Sequence, residues 1–161
     1  MNIWKSNIWK KDIELCTHIR RNSLRLRFEK DINLEVRRAC TQFARWLRRE
    51  FYFPIRVTIY FKNNPIIIAR DGQHVSATFL RPSSKDDEPY IKIATGDYQE
   101  LFIKWGKDNA LAAILGTISH ELTHYFQWLN NINLTEIGEE RQAINYGYKI
   151  VYEYSQTREH P

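Results

Sequence analysis

Two histidines stand four residues apart in Ser119-His120-Glu121-Leu122-Thr123-His124-Tyr125-Phe126-Gln127-Trp128, with a glutamate directly after the first. Imidazoles at that spacing leave one face of a helix, so both can reach a single metal ion. A carboxylate beside the first can move a proton from water activated there. The pattern H-E-x-x-H is a zinc-binding signature, and the chemistry it points to is metal-assisted hydrolysis.

The surrounding residues supply the helix. At about 100° per residue, with His120 at 0°, His124 falls near 40° and Glu121 near 100°. Leu111, Ile114, Leu115, Ile118, Leu122, Tyr125, Phe126 and Leu129 gather between about 120° and 240°, so the histidines face away from the core stripe. Their own face carries Ala113, Gly116 and Thr117, small enough to admit a neighbouring element or a substrate. A glycine inside a helix costs stability unless it serves a purpose.

A third ligand follows from register on the next helical segment. Glu140 shares a face with Ala143, Gly147, Ile150, Val151 and Tyr154, whereas Glu139 aligns with Gln142, Tyr146, Lys149 and Glu153. Glu140 is therefore the inward carboxylate, and one set among small and apolar residues needs a cation or a partner. Antiparallel helices joined at Asn130-Asn131-Ile132-Asn133-Leu134 bring His124 and Glu140 nearly level.

With these residues in view, the chain resembles the zincin metallopeptidases. The resemblance implies His120 and His124 as zinc ligands and Glu121 as general base acting on a zinc-bound water. The stretch after His124 lacks the glycine and third histidine of metzincins. Glu140-Arg141-Gln142-Ala143 instead resembles the E-x-x-A signature of gluzincin-type enzymes, in which that glutamate completes the metal site. In size and order the chain is similar to minimal zincin cores such as the SprT-like and ImmA/IrrE-like groups. The motif covers about residues 108–155; elsewhere the similarity is one of layout. The implied activity is peptide hydrolysis with one Zn2+ per chain and a protein or peptide as substrate. Tyr146 or Tyr148 is a candidate donor to the developing oxyanion, and Asp97 and Asn145 are candidates to orient the imidazoles.

Further elements must position this helix. Leu24–Phe28 alternates apolar and charged side chains as a half-exposed strand does. Asp31-Ile32-Asn33 offers turn and N-cap chemistry before a helix with Val36, Cys40, Phe43, Leu47 and Phe51 at helical spacing, closed by Pro54. Residues 54–61 read as a strand, and Asp71-Gly72 as a hairpin turn between Ile66–Arg70 and Gln73–Phe79. Tyr90–Ala94 reads as another strand. An extended substrate could add to an exposed strand, either Tyr90–Ala94 or Gln73–Phe79. Asp97-x-x-Glu100 has the form of a capping box, Gly106 suits a helix stop, and Asp108 and Thr135 suit the caps of the last two helices. The expected class is α+β: a small mixed or antiparallel sheet packed on the motif helix and a following C-terminal helix.

Over 161 residues with 43% apolar and 14% aromatic content, one packed domain spanning 1–161 is expected rather than a disordered chain. Residues 1–22 carry a weak amphipathic pattern, read as a peripheral N-terminal helix. No segment has the length of a membrane span or the apolar core of a signal peptide, so a cytoplasmic location is expected and no membrane partner. Cys16 and Cys40 offer neither a disulfide framework nor metal spacing and read as buried thiols. His18, His74 and His160 read as surface histidines. Charge is uneven: residues 1–56 hold 14 Lys/Arg against 6 Asp/Glu. Solvation of an outer face accounts for this, with Arg37, Arg38, Arg45, Arg48 and Arg49 decorating one helix. Two alternatives to the peptidase follow: a zinc-stabilised adaptor without catalysis, and a nucleic-acid-associated peptidase or binding module using the basic third.

Overall fold

The computed structural model describes residues 1–14 and 21–157. Among them the chain forms a mixed sheet and five helices, an α+β arrangement. In order these are α1 (Lys10–Glu14), β1 (Leu24–Phe28), α2 (Leu34–Glu50), β2 (Val57–Lys62), β3 (Ile67–Ile68), β4 (His74–Val75), β5 (Ala77–Leu80) and β6 (Tyr90–Ala94). They are followed by α3 (Tyr98–Trp105), α4 (Lys107–Leu129) and α5 (Glu136–Ser155).

The four-stranded sheet runs β1-β2-β6-β5, with β1, β2 and β6 parallel and β5 antiparallel on the edge. Parallel strands need a crossover, and α2 supplies the one between β1 and β2. Leu24, Val57, Ile59, Phe61, Ile91 and Ile93 project from one face and pack with Val36, Cys40, Phe43 and Leu47 of α2 and the apolar stripe of α4. Residues β3 and β4 pair around Gly72, whose φ of 83° suits a glycine turn, so the expected hairpin is present with two-residue strands.

Cap chemistry explains several helix ends. Asn33 Oδ1 accepts from the amides of Glu35 and Val36, and Thr135 Oγ1 accepts from Gly138 at 3.0 Å. The expected capping box at Asp97 does not form: Asp97 precedes α3 without a side-chain cap bond, and burial raises its carboxyl above its ordinary value. Asp108 lies in the first turn of α4 rather than capping it, because Gly106, at φ 85°, ends one helix and starts the next.

The N-terminus departs most from expectation. Only Lys10–Glu14 is helical among the described residues of 1–22, and before it Ile3 and Trp4 are buried in the core while Met1 and Ile8 are exposed. Trp4 lies 4.9 Å from both Phe51 and Phe126, and its Nε1 donates to Thr123 Oγ1 inside α4. The pattern there is set by burial against the motif helix, not by helical periodicity. Cys40 is a buried free thiol; Cys16, His18 and His160 lie outside the described residues. His74 is exposed as expected. No helix among the described residues is long and apolar enough to cross a membrane.

Candidate metal centre

The core stripe of α4 anchors the site. Leu111, Ile114, Leu115, Ile118, Leu122, Tyr125, Phe126 and Leu129 are all buried, and the Tyr125 hydroxyl donates to Ile55 O at 2.7 Å, tying α4 to the start of β2. With one side fixed, His120 and His124 are turned to the other side, one helical turn apart, their ring centroids separated by 5.1 Å.

Helix α5 returns along α4, and Gly147 permits the approach. A Cβ at Gly147 would lie 3.3 Å from Gly116 O and 3.8 Å from the His120 Cβ. This closeness brings Glu140 to the imidazoles: Glu140 Oε1 is 2.9 Å from His124 Nε2, and Glu140 Oε2 is 3.2 Å from His120 Nε2. One ligand atom from each of the three residues lies within 4.8 Å of the others. The group, two imidazoles and a carboxylate, could hold a metal ion.

The site opens onto a cleft of about 1260 Å³ bounded by β5, α4 and α5. Glu140 was expected among small and apolar side chains; instead its side chain is 53% exposed at the cleft, so no burial cost compels a cation. Its register is nevertheless as read. Glu139 is not on a solvated face: its side chain is 18% exposed, lines the same cleft, and pairs with Arg81 at 3.2 Å.

Glu121 is 7% exposed and lines the cleft. Burial, and then the charge of Glu140, push its carboxyl up to about 8. His120 is moved the other way, below its ordinary value, by burial and by His124, with Glu140 opposing both. Neutral imidazoles are the form that binds metal.

Gln127 carries a role that the sequence reading missed. Its Oε1 lies 2.8 Å from His124 Nδ1, and its Nε2 donates to Glu139 O and to Gln142 Oε1, both at 3.0 Å. Because the amide nitrogen is engaged with two acceptors, the oxygen faces the imidazole and receives the Nδ1 proton. Nε2 of His124 is the nitrogen turned toward Glu140. The signal was a glutamine three residues after the second histidine inside an otherwise apolar run. Asp97 and Asn145 do not serve: Asp97 sits at the start of α3, and Asn145 is exposed without a bond to either imidazole.

The other candidates separate cleanly. Tyr146 is spent elsewhere, its hydroxyl accepting from Ile3 N and donating to Met1 O, whereas Tyr148 lines the cleft. Strand β6 lies between β2 and β5 and has no open edge, so Tyr90–Ala94 cannot take an added strand. Strand β5 can. Ala94 N donates to Ser76 O, and antiparallel alternation then turns the backbone groups of Ala77 and Phe79 away from β6 toward the cleft. The chain matches no family model, no curated protein and no solved structure.

Proposed function

We propose that the chain is a zincin-type metallopeptidase, gluzincin-like in its third ligand, that hydrolyses peptide bonds in a protein or peptide substrate. The observation that carries this reading is the convergence of His120, His124 and Glu140 beside a buried glutamate, on a cleft walled by an open strand edge. His120, His124 and Glu140 would hold one Zn2+ per chain. When bound, zinc supplies a Lewis acid for the scissile carbonyl and makes water acidic near neutral pH.

The remaining work belongs to the chain. An extended substrate pairs with the outward backbone groups of Ala77 and Phe79, which sets the scissile bond along the cleft. Glu121, poised near neutrality, takes a proton from the attacking water and returns it to the leaving amine. Nearby positive charge favours its carboxylate form, so the base is available when the site is loaded. Gln127 holds His124 in the tautomer that coordinates. Of the two tyrosines expected as oxyanion donor, Tyr148 is the one that lines the cleft, where Tyr152 also lies.

Elemental analysis of protein purified without added metal tests the ligand set. One zinc per chain is expected, lost in His120→Ala and His124→Ala and much weakened in Glu140→Ala, while Glu139→Ala keeps it. Folded, metal-free wild type that takes up no zinc on titration would overturn the proposal.

A further inference from the structure

The helices pack on one face of the four-stranded sheet, and the side chains of the other face stay outside the core cluster. Strand alternation sends Arg25, Arg27, Thr58, Tyr60, Lys62, Tyr90, Lys92 and Ala94 to the side opposite the buried apolar residues of β1, β2 and β6; Thr58 and Ala94 are buried among their neighbours, Arg27 and Tyr60 are exposed and the other four half-buried, and none of them joins the core cluster. Sheets with parallel strands are ordinarily covered on both faces, so a face of β1, β2 and β6 left outside the core is a surface suited to a partner.

Its pattern says which partner. The register places Arg27, Tyr60 and Lys92 side by side across three strands, with Arg25 and Tyr90 in the neighbouring row. The two tyrosine rings meet edge to face at 5.8 Å, and Lys92 Nζ lies 5.8 Å from the Tyr90 ring. Tyr60 is 38% exposed. No strand residue on this face is acidic; the carboxylates at its margins are Glu29, 3.8 Å from Lys62, and Glu88, paired with Arg21.

We propose that this face binds single-stranded nucleic acid. Phosphates meet the flanking arginines and lysines while a base stacks on the central tyrosine ring, which accepts any base because every base has a π-face. The paired, stacked bases of a duplex offer no free face to the tyrosine ring. An acidic peptide satisfies the charge but leaves the tyrosine pair without a function. A second copy of the chain would bring like charge against like charge. The face lies across the sheet from α4, so a strand bound here leaves the metal cleft open.

The test is fluorescence anisotropy of labelled oligothymidylate and oligouridylate with the full chain, across about 50 to 200 mM salt. Binding is expected at low salt, with log affinity falling by about 0.7 per phosphate contacted for each unit of log salt. Tyr60→Ala should weaken it roughly tenfold or more, since stacking is worth about 1–3 kcal/mol per base. Arg27→Glu should weaken it and flatten the salt dependence, whereas Arg45→Glu on α2 should do much less. Three results would overturn the proposal: no binding at low salt, tighter binding to a duplex of equal length, or polyglutamate displacing the oligonucleotide at equal charge with Tyr60→Ala without effect.

Discussion

Replacing Gln127 with alanine isolates the contribution of imidazole orientation to the metal centre. The substitution removes the acceptor 2.8 Å from His124 Nδ1 and both bonds from Nε2 to α5. His124 then loses the group that fixes its tautomer and ring angle, and losses of this kind cost about 10- to 100-fold in metal affinity, or about 1.4–2.7 kcal/mol. A second effect accompanies it. Gln127 is 1% exposed, so Glu139 O and Gln142 Oε1 lose a buried partner, which lowers fold stability by about 1–3 kcal/mol. Competition with a chromophoric zinc chelator measures the first effect, and denaturant unfolding of the metal-free protein the second. Stoichiometry should stay at one zinc, because all three ligands remain. Gln142→Ala, which removes one acceptor from the amide but leaves the bond to His124, should lower affinity much less. An unchanged zinc affinity in a folded Gln127→Ala protein would refute the orienting role.

Gly147→Val should push α5 from α4, since even a Cβ there lies 3.3 Å from Gly116 O; overpacking of about 1–3 kcal/mol and weaker zinc binding are expected in parallel chelator and unfolding assays. Gly116→Ala should instead raise stability by about 0.5–1 kcal/mol, because a Cβ at that position meets nothing within 4 Å. Trp4→Ala should cost about 3–5 kcal/mol in denaturant unfolding, as the indole is buried against Phe51 and Phe126 and bonded to Thr123. In the metal-free protein Glu121 holds its proton more tightly folded than unfolded, its carboxyl being raised from 4.5 to about 8. Its stabilising contribution is therefore complete below pH 4.5 and lost as pH rises through about 8, so unfolding midpoints with a chelator present should fall over that window and Glu121→Gln should flatten the fall.

The metal group was legible because its spacing is local. His120, Glu121 and His124 follow from one helical turn, and Glu140 from the register of the next helix, in which Ala143, Gly147, Ile150 and Tyr154 are buried as read. Strands β1, β2 and β6 and the hairpin at Gly72 were legible from alternation and turn chemistry. What failed depended on tertiary placement. The burial of Trp4 is decided by its contacts with α4 and Phe51, far along the chain, which no local pattern encodes. Strand order is likewise non-local: Tyr90–Ala94 and Gln73–Phe79 look equally exposable in sequence, yet pairing encloses the first and leaves part of the second at the edge. Glu140 was placed correctly for an incomplete reason, since its face is apolar further along α5 but opens to the cleft at its own turn.

The most direct measurement compares wild type with Glu121→Gln, each loaded with zinc, on a denatured-protein library, reading new termini by mass spectrometry. The amide is nearly isosteric with the carboxylate and Glu121 is not among the three grouped ligands, so zinc content and fold should be unchanged. Only proton transfer is removed, and hydrolysis should collapse. Zinc-dependent cleavage that persists in Glu121→Gln, at a rate near that of wild type, would contradict the assignment of Glu121 as the base.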